Sequence, residues 1–262
     1  MSFDLAAYLA RIGHDGPVAP DLATLRAIHI AHVGAIPFEN MDIQMGLPVR
    51  LEMEHLTAKL VGSRRGGYCF EQNSLLQAAL TAIGFDVHRR VARVRMGGDP
   101  GGRSHLMLLI AIDGQTYMAD VGFGGSCLVE PLPLVAGEYD SAGDRWRLSL
   151  SDWSPGWELA VWRDGGWFGL YWLGAEEVVE WDLVFGNHFT STHPASRFVQ
   201  NRVAARSTLT ERHTLLNDQY RRRLNGELVE EIQITDEGML RRVLVERFGI
   251  ELPEGAMLKP AG

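Results

Sequence analysis

Cysteine is scarce in this chain: two residues, Cys69 and Cys127, in 262. Two thiols do not make a disulfide framework at this length, and a reducing compartment keeps both free, so at least one is available for chemistry. A long apolar run is also missing. No stretch approaches the roughly 20 residues of a membrane-spanning helix. The opening, MSFDLAAYLARIGHDG, carries an acid where a signal peptide carries its basic region, which points to a cytoplasmic protein with no membrane partner. Excess positive charge is absent as well. Lys and Arg number 25 against 33 Asp and Glu, a formal −8, which disfavours nucleic acid and anionic lipid as partners. No internal repeat or low-complexity stretch occurs. What remains is ordinary globular composition, 46% hydrophobic and 22% charged, expected to form one compact unit or two to three small packed subdomains.

The first third reads as helical. Leu5, Tyr8, Leu9 and Ile12 fall at i, i+3, i+4 and i+7 between Asp4 as N-cap and Gly13 as stop. A second helix starts after Pro20-Asp21 with Leu22, Leu25, Ile28 and His32 on one face, and a third covers Leu51 to Leu60. A fourth runs from Cys69 to Ile83 and ends at Gly84. From Asp86 the pattern changes to short apolar runs separated by Asp-Gly and Gly-Gly turns, which predicts antiparallel strands closed into a barrel. LMLLIAI and QTYMADV flank Asp113-Gly114; WELAVWR and WFGLYWL flank Asp164-Gly165-Gly166. The end mixes strands around Leu224-Asn225-Gly226 with a helix from Asp236 to Phe248. The fold class expected is therefore α+β, divided as 1–85 helical, 86–200 barrel and 201–262 α/β.

Cys69 follows Arg64-Arg65-Gly66-Gly67-Tyr68 and opens a predicted helix. A helix N-terminus and neighbouring cations both favour a thiolate, so the position suits a nucleophile behind a flexible glycine pair; the alternative is a small buried hydrophobe. In the hairpin around Asp113-Gly114 a two-residue turn makes opposed residue numbers sum to 227, so His105 faces Gly122. Asp120 then occupies the diagonal position on the same face, about 7 to 8 Å away at the backbone, a gap an imidazole and a carboxylate can close. A histidine oriented by an acid is what a cysteine nucleophile requires. The same two residues also read as a backbone-bonded strand histidine and a turn aspartate.

Other features are weaker. His29 and His32 lie at i, i+3, but no cluster with zinc spacing accompanies them and Glu39 alone adds little, so no metal is expected and the pair reads as helix surface or satisfied core. Cys127 lacks a helical start and cations and reads as structural. Gly122-Phe123-Gly124-Gly125-Ser126 offers backbone N–H groups to a phosphate, or is simply a turn.

With these residues in place, the chain resembles the arylamine N-acetyltransferases along most of its length. The resemblance is carried by Ile36-Pro37-Phe38-Glu39-Asn40, by Arg64 to Asn73 around Cys69, by Ser104-His105-Leu106, by Ala119 to Gly124, and by Ser191 to Phe198. It implies an N-terminal helical bundle, a central β-barrel and a C-terminal α/β lid, with a cysteine-protease-like core of Cys69, His105 and Asp120. It further implies acetyl transfer from acetyl-CoA, a donor substrate and not a resident cofactor, through a Cys69 thioester to an aromatic amine, hydrazine or hydroxylamine. By the same resemblance Phe38, Phe123 and Phe198 line the acceptor pocket, while Ser104, Gly124 and Gly125 serve the CoA side. Met96 stands where many relatives carry an aromatic residue. A monomer or weak homo-oligomer is expected. Glu39 is expected to pair with Arg64 or Arg65 behind the nucleophile. The rival activities are an amide synthase using the same three residues on a larger acyl group and a transglutaminase-like thiol enzyme; the rival class is a non-catalytic binding module.

Overall fold

The computed structural model describes residues 3–259, so the outermost residues of the expected 1–85 and 201–262 units lie outside the described range. Helix α1 (Leu5–Ile12) is capped by Asp4, whose carboxylate accepts from Ala7 N–H at 3.0 Å, and stops at Gly13 with φ +69°. Helix α2 (Leu22–Ala35) is capped in the same way by Asp21 on Thr24 N–H. These side-chain acceptors satisfy N–H groups that a helix start leaves without intrahelical partners. After β1 (Phe38–Glu39) come two single turns, α3 (Met41–Gln44) and α4 (Met53–Leu56), then α5 (Cys69–Ile83), ended by Gly84 with φ +107°. The helix expected over Leu51–Leu60 is shorter at its start. Beyond Leu56 it widens into i→i+5 turns over Thr57–Gly62, as in Ser63 N–H to Ala58 O at 2.8 Å.

The strands follow as β2 (Asp86–Val94), β3 (Arg103–Ile112), β4 (Gln115–Ala119), β5 (Leu132–Pro133), β6 (Gly137–Ser141), β7 (Asp144–Leu150), β8 (Trp157–Arg163) and β9 (Gly166–Leu173). They form one antiparallel sheet in the order β5-β4-β3-β2-β9-β8-β7-β6, curled into a nearly closed barrel. Asp113-Gly114 and Asp164-Gly165 both hold positive φ at their two turn positions, the geometry whose twist suits two-residue hairpins. Gly166, read from the sequence as part of its turn, instead pairs with Arg163 as the first residue of β9. Helices α6 (Glu180–Thr192) and α7 (Arg197–Gln200) lead into β10 (Val203–Ser207), β11 (Glu211–Leu216), β12 (Gln219–Leu224) and β13 (Glu227–Gln233). Those four join β1 in a second antiparallel sheet, and α8 (Glu237–Val243) packs behind it, continuing in wide turns to Phe248.

Two apolar clusters fix the site. Leu75, Leu76, Ala79 and Leu80 of α5 pack with Leu108 and Ile110 of β3 and Ala119 of β4, holding the nucleophile helix against the hairpin. Each fully buried leucine or isoleucine there contributes about 1.5–3 kcal/mol relative to exposure. The barrel interior is filled by Met107, Met118, Trp146, Leu159, Leu170 and Tyr171. Among the described residues no helix is long and apolar enough to cross a membrane.

Candidate active site

Cys69 is buried and is the first residue of α5, so its sulfur sits at the positive end of a 15-residue helix. Tyr68 N–H ahead of it donates to Glu71 Oε2 at 3.0 Å. The glycine pair before it serves close packing. A Cβ on Gly66 would collide with Pro37 O, and one on Gly67 would lie 2.7 Å from Glu71 Oε2. The left-handed residue of this segment is Arg64, φ +53°. The expectation of a flexible pair is therefore corrected: Gly66 and Gly67 are bare so that the loop can press against Pro37 and Glu71.

Arg65 is engaged by carboxylates rather than by the thiol. Arg65 binds Glu39 at 2.7 Å and Asp42 at 3.0 Å, and Lys59 continues the chain to Asp42 at 2.6 Å and Glu71 at 2.8 Å. Glu39 also accepts from Met41 N–H at 2.7 Å. Of the two arginines, Arg65 is the one that pairs with Glu39, while Arg64 is held through its backbone carbonyl by Arg11. Burial pushes the Glu71 carboxyl up to about 7 despite Lys59. This ionic chain fastens the loop to the helix start and spends its cations on carboxylates, so the cation beside Cys69 has to come from elsewhere.

That cation is His105. The 227 register holds from Ile112↔Gln115 to Leu108↔Ala119, after which the strand ends and Asp120 leaves the ladder. Its carboxylate nevertheless meets the ring: His105 Nε2 donates to Asp120 Oδ2 at 2.7 Å. Burial alone would suppress the imidazolium, but the charge and hydrogen bond of Asp120, and then the contact with Cys69, carry His105 up to about 10. With Nε2 committed to Asp120, Nδ1 is the nitrogen left for Cys69. The thiol also lies 3.8 Å from Ser104 O.

Asp120 is fully buried and saturated. Oδ2 accepts a second bond from Tyr171 OH at 2.9 Å, and Oδ1 accepts from Asn73 Nδ2 and Gly122 N–H, both at 3.0 Å. These donors and the His105 cation hold the carboxyl below its usual range although burial opposes it. Burial and the nearby carboxylate raise the Tyr171 phenol well above its ordinary value, so it stays a donor. Behind them His29 Nε2 accepts from Asp120 N–H at 3.1 Å, which places its proton on Nδ1, 3.0 Å from Val129 O. Burial lowers His29 to about 4, so the ring is neutral. His32 accepts from Tyr8 OH and donates to Gln72 Oε1. Both histidines are thus satisfied core and neither lies on a helix surface. Nothing in the sequence ties Asn73, Tyr171 or His29 to Asp120: Asn73 closes the stretch around Cys69, Tyr171 lies in a hairpin strand, and the one function His29 suggests is metal ligation.

Cys69 and His105 open into a cavity of about 810 Å³ that Phe38, Phe123 and Phe198 also line, together with Ser104, Gly124, Gly125 and Met96. Asp120 stands behind His105, outside the lining. Phe38 and Phe198 meet with ring centroids 5.7 Å apart, and Phe123 meets His105 edge-on at 4.8 Å. Gly122 is bare for the same reason as Gly66: a Cβ would lie 2.7 Å from the Cys69 Cα. Cys127 is buried away from the cavity, burial pushing its thiol up to about 12.

A family model described as N-acetyltransferase matches residues 21–257. Over 260 residues the chain is 39% identical to an arylamine N-acetyltransferase of Mycolicibacterium smegmatis, covering 96% of this chain and 94% of that protein. Identity to the Escherichia coli K12 arylamine N-acetyltransferase is 33%, covering 93% and 87%. The solved arylamine N-acetyltransferase from Salmonella typhimurium aligns with a TM-score of 0.90 at 31% identity, covering 97% and 94%. The Mycobacterium marinum arylamine N-acetyltransferase in complex with CoA aligns at 0.88 and 36%, covering 94% and 93%. Sequence match along nearly the whole chain and agreement of the complete fold coincide, and the chain belongs to the arylamine N-acetyltransferase family.

Proposed function

We propose that this enzyme transfers acetyl from acetyl-CoA to aromatic amines, hydrazines or hydroxylamines through a thioester on Cys69, with His105 and Asp120 completing a catalytic triad. The observation that carries the reading is the His105–Asp120 pair at 2.7 Å, whose imidazole shares one aromatic cavity with a thiol at a helix start. The Cys69 sulfur attacks the acetyl carbonyl, the bond from carbonyl carbon to the CoA sulfur breaks, and the His105 proton goes to the departing thiolate. In the second half the amine nitrogen attacks, the bond to Cys69 breaks, and His105 takes the proton that nitrogen loses. One thioester is exchanged for another, so the first half is nearly balanced and the protein mainly supplies the Cys69 sulfur beside His105 and a positive helix end for the developing oxyanion.

In this reading Phe38, Phe123 and Phe198 serve a flat acceptor and Ser104, Gly124 and Gly125 serve the donor; that all six line the one cavity supports it. The reaction runs on these side chains without a resident cofactor. Because one sulfur serves both substrates in turn, initial rates over a grid of acetyl-CoA and arylamine should give parallel double-reciprocal lines. Intersecting lines, with no covalent species on rapid quench, would mean direct transfer in a ternary complex and defeat the proposal.

A further inference from the structure

Part of the cavity lining reverses the sign of the molecule. The chain carries a formal −8, yet six arginines line the cavity against three carboxylates, Asp144, Asp164 and Glu227. Several of these arginines are spent on partners: Arg145 on Glu138, Arg212 on Asp144 at 2.5 Å and Arg221 on Glu231 at 2.7 Å. Two are not. Arg163, at the end of β8, gives Nη2 to the Ser126 hydroxyl at 2.8 Å, a neutral partner. The Arg223 side chain makes no hydrogen bond or ion pair among the described residues, although the residue is half-buried at a bulge between β12 and β13 and lies opposite Arg212. Desolvation lowers the proton affinity of Arg163; Asp144 and Asp164 oppose that, and Arg212 and Arg223 are near enough to add to it. Three guanidiniums gathered with only two carboxylates, Asp144 and Asp164, leave positive charge over at this end of the cavity, which an entering anion would offset.

The loop Gly122–Ser126 ties this cluster to the nucleophile. At one end Gly122 packs against Cys69, and at the other Ser126 receives Arg163. Between them Arg212 Nη1 donates to Gly125 O at 3.1 Å and, just beyond the loop, to Cys127 O at 3.2 Å. A donor whose thioester reaches Cys69 along this loop brings its far end to the unpaired guanidiniums. We infer that Arg163 and Arg223 form an anion subsite for the phosphate groups of the acyl donor, and so select a nucleotide-bearing thioester over a shorter one. The inference rests on the acetyl-CoA reading above and adds to it the residues that recognise the donor's charge.

The test compares acetyl-CoA with S-acetylpantetheine, which keeps the thioester and its arm but has no phosphate. The readout is the ratio of kcat/KM for acylation by the two donors. Native protein should favour acetyl-CoA, and that preference should weaken with ionic strength. Arg223→Gln should lower the ratio about tenfold, as expected for one lost charge-assisted contact. The double variant with Arg163→Gln should lower it further, and Arg223→Lys should restore most of it. An unchanged ratio in folded Arg223→Gln and in the double variant overturns the subsite while leaving the acetyl-CoA reading intact. Failure of acetyl-CoA to acylate the native protein, with S-acetylpantetheine equally inert, overturns the underlying reading instead.

Discussion

Replacing Asp120 by Asn changes one atom of a carboxylate whose two oxygens accept four hydrogen bonds, and the structure dictates which way the amide must turn. Facing Asn73 and Gly122, its NH2 would meet the Gly122 N–H, which cannot be reversed, and the Asn73 amide, whose oxygen already holds Val121 N–H at 3.2 Å. Facing His105 and Tyr171, it meets a hydroxyl that can rotate and an imidazole that can change tautomer. The second orientation wins, and it moves the His105 proton to Nδ1, the nitrogen that should receive one from Cys69. The lost charge has a magnitude as well. Holding His105 at about 10 instead of 6.5 corresponds to about 5 kcal/mol of preference for the charged ring, most of it owed to Asp120. Asp120→Asn should therefore slow acylation by about 10³ to 10⁴, the scale of the same exchange in a serine-protease triad. The assay is rapid-quench acylation by acetyl-CoA across pH, normalised to folded protein by circular dichroism. Native protein should show no inflection near 6.5, because its imidazolium persists to about 10. A folded variant within about tenfold of the native rate would refute the tautomer argument, since that argument leaves so small a loss no room.

Two further perturbations probe the frame around the site. Glu39→Gln leaves Arg65 with Asp42 alone and turns an amide toward either Arg65 or Met41 N–H; it should cost about 3 kcal/mol, read as a lower denaturant midpoint at constant m, and an unchanged midpoint would count against a structural role. Burial lowers folded His32 to about 3, whereas an unfolded histidine titrates near 6.5. The unfolded state therefore binds more protons as the pH falls, so this contribution is complete above 6.5 and is lost as pH drops toward 3. His32→Gln should make the stability curve between pH 6 and 4 shallower by about 1.4 kcal/mol per pH unit; equal slopes would mean the native ring is not held neutral.

The sequence made the local devices readable because they act over a few residues. Asp4, Asp21, Gly13 and Gly84 bound their helices as expected, and Asp113-Gly114 fixed the hairpin register as far as Leu108↔Ala119, one residue short of Asp120, whose carboxylate then meets His105 from beyond the ladder. What escaped was nonlocal. The Gly66-Gly67 pair signals freedom in a sequence, and only the closeness of Pro37 and Glu71 shows that it serves contact. Arg64 and Arg65 stand beside Cys69 along the chain, yet Glu39 and Asp42, more than twenty residues upstream, claim Arg65. Tyr171 reaches Asp120 across 51 positions and His29 across 91, distances over which no periodicity carries information. The i→i+5 turns after Leu56 were invisible for a related reason: an apolar period of 3.6 predicts an ordinary helix and says nothing of the Lys59 bonds to Asp42 and Glu71.

The central claim is that Cys69 carries the acetyl group between donor and acceptor. Intact mass measured after mixing the protein with acetyl-CoA alone addresses it directly, with peptide mapping to locate the adduct. The account predicts one acetyl group per chain on Cys69, release of an equal amount of CoA, discharge by an aniline, no adduct in Cys69→Ala and an undiminished adduct in Cys127→Ala. An unmodified native protein, or an acetyl group that survives Cys69→Ala and disappears in Cys127→Ala, would contradict it.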